Sequence, residues 1–415
     1  AISRIRKGKW TGRQRGGRMT RISRALGRIE WKKAWNRKAM VLLLVSILLP
    51  LVLSAYTSYQ AAGLAQRQRS LWEMQLQQNA QIAAQNLSMG DLDEASRAYY
   101  EAAQDLWDAF ESGDTRACLE AKIRQDEAVL AQAQAGIRFQ NHAETLEEAR
   151  DNLERNTILL SQNIEPRDPF LEPHDGVGSI FWFLTYIQVY LLPGVTLLLC
   201  ADSIAGEFRG GGMKFLLQTP QRRFSIVWKK YIINALFGIL CMLVSIPASF
   251  AGGALFSGAG DFRYPMEAQG SFFALGDVLY LPAWQLLLRA RAGGAAAGLF
   301  YTALGILLSV LFRRGAAALL VSAVLGLGAV FFCRQNVRDA LGGPLQFTPF
   351  AASDPFLAAA GSFSFTVTGE NSFAFEVQTK TLESPFAGIF AVVLLLGFAA
   401  VCAAAAGGLF SKKEV

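Results

Sequence analysis

Histidine is nearly missing from this sequence. His142 and His174 are its two copies, too few and too isolated to build a metal centre. Five cysteines make neither a disulfide framework nor a zinc spacing. Cys200, Cys241, Cys333 and Cys402 lie in or beside apolar runs, and Cys118 stands alone in an acidic stretch. There is no Gly-x-x-x-x-Gly-Lys-Ser/Thr phosphate loop. The nearest string, Gly206 to Lys214, lacks a Lys-Ser/Thr after a correctly spaced glycine. Gly-x-Ser-x-Gly and His-Glu-x-x-His are also absent. The chain therefore carries no motif for nucleotide hydrolysis or other catalysis, and reads as a non-enzyme.

A further lack is more informative. Six runs, 40–56, 180–201, 231–257, 294–312, 315–333 and 386–410, contain no Asp, Glu, Lys or Arg, in a chain with 40 Lys/Arg and 33 Asp/Glu. Each such charge costs about 2.5–3.5 kcal/mol at the centre of a membrane helix. A helix needs about 20 apolar residues to cross the hydrocarbon core. The runs are uninterrupted rather than periodic, so they predict six transmembrane helices in an all-α polytopic protein. Lys38 and Arg37 lengthen the short first run by snorkelling. No small-residue cleavage site follows Tyr56, so this run reads as a retained anchor, not a signal peptide.

The remaining charge is unevenly placed. Residues 1–39 hold fourteen Lys/Arg and one acid, Glu30, whereas residues 57–177 hold ten Lys/Arg and twenty-one acids. The basic stretch runs straight into a span, which favours topogenic and lipid contacts over nucleic acid. Placing 1–39 in the cytoplasm and alternating puts 202–230, the Arg313–Arg314 turn and 411–415 there too. These inner segments hold 24 Lys/Arg and 4 acids, the outer ones 16 and 29. The expectation is an even number of spans with both termini cytoplasmic. Arg289 and Arg291 fall outside, where 279–288 reads as a re-entrant or interfacial helix entering the fourth span. Residues 20–38 offer Ile22, Leu26, Ile29 and Trp31 as one apolar face among Arg and Lys. This is either an amphipathic interfacial helix or a solvated basic tail.

Residues 57–177 read as an extracellular helical hairpin or bundle of three or four helices. Leu92, Ala95, Tyr99, Ala102, Leu106 and Phe110 recur at three- and four-residue steps. Leu146, Ala149, Leu153 and Leu160 make a second stripe. Asp91 with Glu94 predicts a capping box, and Gly113–Asp114 a break. The Gly-Asp string at 90 is followed by another after 23 residues, not the roughly 34 of a tetratricopeptide repeat. In the outer loop 334–385, Phe363, Phe365, Val367, Phe373, Phe375 and Val377 alternate with polar residues around Gly369-Glu370-Asn371. This is a β-hairpin signal, with an ordinary loop as the alternative.

Charge-free spans argue against an ion-coupled carrier, which needs ionisable groups in the membrane. Energy for transport would have to come from a partner. The inner segment 202–230 carries Asp202, then Glu207, Gly210, Gly211 and Gly212, then Phe215, Leu216 and Leu217, Pro220, Arg222 and Arg223, with Lys229–Lys230 at the membrane edge. This order resembles the ABC export permease family of the second membrane-domain class. The fourth span's Leu307-to-Arg313 end and its 282–289 approach are also similar, the latter to Gram-positive members. The large helical insert departs from the family's usual short loop.

The resemblance implies a short coupling helix docking on a separate ATPase subunit. The residues agree: Gly210–Gly212 breaks a helix, Met213–Gln218 forms an apolar knob, Pro220 ends it, and Arg222 and Arg223 can pair with acids. A plain topogenic loop is the alternative, but it leaves Phe215–Leu217 unexplained. ATP and magnesium would bind the partner, with no cofactor in this chain. The implied domains are 1–39, the span 40–56, the insert 57–177, and 178–415 with the remaining five spans. The implied assembly is a homodimer or a heterodimer with a related permease in the lipid bilayer of a bacterial plasma membrane. Gly294-x-x-x-Gly298 and Ala403–Gly408 permit close helix approach. The expected role is outward movement of a peptide, antimicrobial, lipid or ion. The rival is a membrane-anchored sensor or scaffold that binds an envelope partner through the insert.

Overall fold

A computed structural model describes residues 31–412, apart from 33–34, 91, 137–145, 166–174, 202, 210–221, 270–277, 313, 329, 332–347, 361, 372–373 and 384–387. The amphipathic segment 20–38 lies mostly outside these residues.

The first apolar run does not end at the membrane. It belongs to α1 (Arg37–Met89), an unbroken helix of 53 residues. At 1.5 Å per residue this is about 80 Å, more than twice the roughly 30 Å hydrocarbon core. Its N-cap is Asn36, whose side chain accepts from the Ala39 amide at 2.8 Å. The insert continues as α2 (Glu94–Ser112), α3 (Thr115–Gln134) and α4 (Leu146–Gln162), each packed on its sequence neighbour.

The α2 cap is Asp93, which accepts from the Ser96 amide at 2.9 Å, so the expected Asp91 box is displaced by two residues. The side chain that reaches the third helical amide wins the cap. Gly113, at φ 75°, ends α2, and Asp114 caps α3 through two amides, as the Gly-Asp pair implied. Of the predicted stripes, Ala102, Leu106 and Ala149 are buried, but Leu146 is exposed and Leu159 takes the central position.

The membrane part contains the second span as α5 (Gly176–Phe183), a wide π turn at Leu184–Gln188, and α6 (Val189–Ala201). A short α7 (Ala205–Arg209) leads to α8 (Arg223–Ser257). Strands β1 (Pro265–Gln269) and β2 (Val278–Pro282) pair antiparallel, then α9 (Ala283–Leu311) begins at once. The expected interfacial helix over 279–288 is therefore part strand and part fourth span, with Pro282 as the hinge and Arg289 and Arg291 inside α9. The strand pairing of Met266 with Leu281 holds the chain extended up to that proline.

Next come α10 (Gly315–Ala323) with a π turn at Val324–Gly328, then α11 (Pro349–Ala352) and α12 (Pro355–Ala360). Strands β3 (Ser362–Asn371) and β4 (Ala374–Glu383) pair antiparallel. Their register pairs Gly369 with Glu376, inside the ladder rather than at its turn. The last helix is α13 (Ile389–Lys412).

Among the described residues, five helical stretches are long and apolar enough to cross a membrane: Arg37–Gly63, Gly176–Phe208, Arg223–Ser257, Ala283–Leu311 and Ile389–Lys412. The fifth run gives a shorter apolar helix, Gly315–Gly328. Helices α1 and α8 run parallel. Trp35 meets Phe237 at one end and Tyr59 meets Phe256 at the other, with ring centroids 5.7 and 5.6 Å apart.

Between those ends hydroxyls and glycines bring the two backbones close. Ser54 and Ser249 share a 2.7 Å bond, Ser249 donates to the Ser179 carbonyl, and Ser58 donates to the Gly253 carbonyl at 2.9 Å. A Cβ on Gly252 would strike the Leu51 carbonyl. The main core lies where α6, α9 and α13 meet, around Leu192, Ala297, Phe300, Tyr301 and Leu395. Opposite ends of the bundle are thus defined. One carries Arg37, Arg223 and Lys412, and the other carries the β1–β2 hairpin and the insert, joined by the Tyr280 hydroxyl donating to the Asp151 carbonyl at 3.0 Å.

Candidate functional site

The second span stops at a corner rather than fraying. Between α6 and α7 the backbone turns through Ser203 and Ile204, and that turn leaves carbonyl and amide groups without helical partners. Ser309, fully buried on α9, supplies them. Its hydroxyl accepts from the Ile204 amide at 3.1 Å and the Ala205 amide at 3.0 Å, and donates to the Ala201 carbonyl at 2.9 Å. One donor and two acceptor sites are a hydroxyl's full capacity.

From α8, Asn234 Nδ2 donates to Ser203 Oγ at 3.1 Å. One turn earlier, Lys230 Nζ stands 3.4 Å from Glu207 Oε1, with side chains 6% and 15% exposed. That distance is long for a charged hydrogen bond, so the contact is an ion pair across α7 and α8. Ile204 packs among Val227, Ile306, Val310 and Phe410, which adds α13 to the helices gripping this corner.

The far root of the segment is also held. Arg223 Nη1 donates to the Ser411 carbonyl at 3.3 Å, satisfying an end carbonyl of α13. The Phe224 ring covers Gly407 so closely that a Cβ there would collide with it. Phe224, Trp228 and Tyr231 form a continuous stack, and the first two are exposed. Exposed aromatics beside Arg222, Arg223 and Lys229 suit the headgroup layer.

Of the residues expected to couple to an ATPase, Glu207, Arg222 and Arg223 are therefore placed at the two roots of one segment at the basic end of the bundle. Asp202, Gly210, Gly211, Gly212, Phe215, Leu216, Leu217 and Pro220 lie outside the described residues. Arg222 takes the N-cap position of α8 without a side-chain cap bond. The sequence reading gave no role to Ser309 or Asn234 and placed Lys230 at the membrane edge without its partner. Ser309 lies in a charge-free run, and a serine there ordinarily bonds back to its own helix. Its spacing carries no sign of the cross-helix role.

Long apolar helices packed on buried hydroxyls and small residues, with basic ends, define a polytopic helical membrane protein. The sequence pattern of the ABC-2 family transporter protein matches residues 25–415, and the chain belongs to that family. Members are membrane components of transport systems and generally work with an ABC ATPase subunit. A stretch of 90 residues is 33% identical to the uncharacterized protein YhcI of Bacillus subtilis (strain 168). The match covers 21% of this chain and 29% of that protein.

Proposed function

We propose that this chain is the permease subunit of an ATP-driven exporter whose ATPase is a separate polypeptide. The observation that carries the reading is the braced corner. Residues 210–221, rich in glycine and then apolar, join α7 to α8 in sequence, and the described residues on either side, Glu207 and Arg223, are tied to α8, α9 and α13. A push on that segment would reach three membrane helices at once. An apolar knob between charged flanks, Phe215, Leu216 and Leu217 between Lys214 and Arg222/Arg223, is suited to docking on an ATPase.

In this reading six helices span the plasma membrane, with the short Gly315–Gly328 helix contributing to the fifth crossing. The end of the bundle that carries Arg37, Arg223 and Lys412 faces the cytoplasm, as do both termini. Two copies, or one copy and a related permease, pair with two ATPase subunits that bind ATP and magnesium. ATPase closure moves the coupling segment and rocks the six-helix units. Substrate, a peptide, antimicrobial, lipid or ion, passes outward past the insert.

The experiment is co-purification from native membrane. The wild-type chain is expected to bring a Walker-motif ATPase at near 1:1 stoichiometry. The double variant L216D/L217D is expected to insert normally and lose it. Association retained in that variant counts against docking through this segment. A wild-type chain that brings no ATPase favours a sensor or scaffold acting through the insert.

A further inference from the structure

The corner contains more than an export permease needs for simple attachment. Burying two opposite charges costs desolvation that an apolar pair of equal size avoids. Ile204, Val227 and Phe410 already pack there, so apolar contact alone could close the joint. A charge pair adds direction: it fixes the rotation of α7 about its axis relative to α8. The Ser309 hydroxyl fixes the bend itself, because its three bonds are met only when Ala201, Ile204 and Ala205 stand in this turn. Helices α8 and α9 thus determine the angle of the turn and of α7, the last described element before residues 210–221.

We propose that Lys230 and Ser309 are positioning residues for coupling: they hold Glu207 and the 203–209 turn at one angle, so that movement of the segment is passed to α8 and α9 instead of being absorbed by a flexing joint. This rests on the export reading and deepens it. Lys230 acts through the Glu207 carboxylate. Ser309 acts through backbone amides. Asn234, on the same face of α8 one turn on, keeps Ser203 in register with both.

The test uses the full chain in complex with its ATPase, in nanodiscs of phosphatidylglycerol and phosphatidylethanolamine. An environment-sensitive dye on Phe262→Cys, at the opposite end of the bundle, reports ATP-driven movement, with Cys118, Cys333 and Cys402 replaced by Ser. E207K and K230E are each expected to co-purify with ATPase at the wild-type ratio and to lose the ATP-driven signal by at least about fivefold, the lower range of inter-site coupling. The swap E207K/K230E is expected to restore it. S309A is expected to lose it and S309T, which keeps the hydroxyl, to recover it.

Should a single charge variant fail to accumulate, E207Q/K230M removes both charges of this pair together, and loss of signal with intact co-purification is again expected. A full signal in E207K, K230E and S309A overturns the proposal, as does a well-folded, ATPase-bound swap with no recovery. A wild-type chain that binds no ATPase overturns the export reading instead, and with it the coupling role given to both residues.

Discussion

Gly252 and Gly407 illustrate how single residues set helix separation in this bundle. Neither has an unusual backbone angle; each is needed because another helix of the chain occupies the space of its Cβ. Gly252 admits the Leu51 carbonyl and Gly407 admits the Phe224 ring. Backbone cannot yield as a flexible side chain does, so Gly252→Leu is expected to cost about 1–3 kcal/mol or more by overpacking. A lower thermal midpoint in detergent, with α1 displaced from α8, checks this. G407A should be milder, since a ring can shift.

Cys118 makes a different residue-scale prediction. Burial, and then the Asp114 carboxylate, push its thiol above the ordinary value. The thiolate is the reactive form, so maleimide labelling should stay slow near neutral pH and rise as pH climbs past the usual thiol range. Replacing Asp114 with Asn should speed it at a given pH.

At the scale of elements, the insert is ordered by caps and small buried contacts. Asp114 holds two amides at the start of α3, and D114A should weaken that helix by about 1 kcal/mol. Amide exchange confined to the first turn of α3 would show the loss. Asp93 at the start of α2 is held below the usual carboxylate range by the Ser96 hydroxyl and amide. A depressed value means the cap is fully present above the ordinary carboxylate pKa and disappears as pH falls through the lowered one. Fraying of α2 should therefore begin in acid and not in base. Farther in, Ser96 accepts from Gln132 Nε2 at 3.0 Å, which joins α2 to α3.

In the membrane the α1–α8 hydroxyl ladder plays the corresponding role. Interhelical hydrogen bonds there average about 0.6 kcal/mol each. S54A/S249A should therefore lower stability modestly, and far less than Gly252→Leu. The comparison separates bonding from close approach at one interface.

For the whole molecule, α1 is the element that joins the two environments. It enters at the basic end beside Trp35, leaves near Tyr59 and continues to Met89 in the insert. The Trp35-to-Tyr59 stretch is about 36 Å at helical rise, which fits one bilayer with its interfaces. An impermeant maleimide should reach Cys118 in intact cells at raised pH, and Ser411→Cys only after permeabilisation. Labelling of Ser411→Cys in intact cells would reverse the orientation proposed here.

Five of the six apolar runs were legible as helices long enough to cross, because hydrocarbon excludes charge and that exclusion is written directly into composition; the run at 315–333 gives the shorter Gly315–Gly328 helix among the described residues. The insert's helices were legible for a similar reason, through residues repeating at helical steps. The extent of α1 was not, because nothing breaks the helix at Tyr56 and the apolar signal simply fades into a polar one. The β1–β2 pair was missed because two five-residue strands carry little periodicity. Lys230 and Glu207 stand 23 positions apart and Ser309 a further 79 from Lys230, so their meeting at one corner has no trace in spacing.

By itself, then, the sequence determined which segments suit lipid and which suit water: the charge-free runs the former, the acidic insert the latter. It did so because transfer free energy depends on each residue's own chemistry. Only the tertiary structure decided which hydroxyl closes the corner after the second span, which lysine faces Glu207 and which glycines let α1 lie on α8. Those contacts depend on helix rotation and depth, which packing fixes jointly and no single segment encodes.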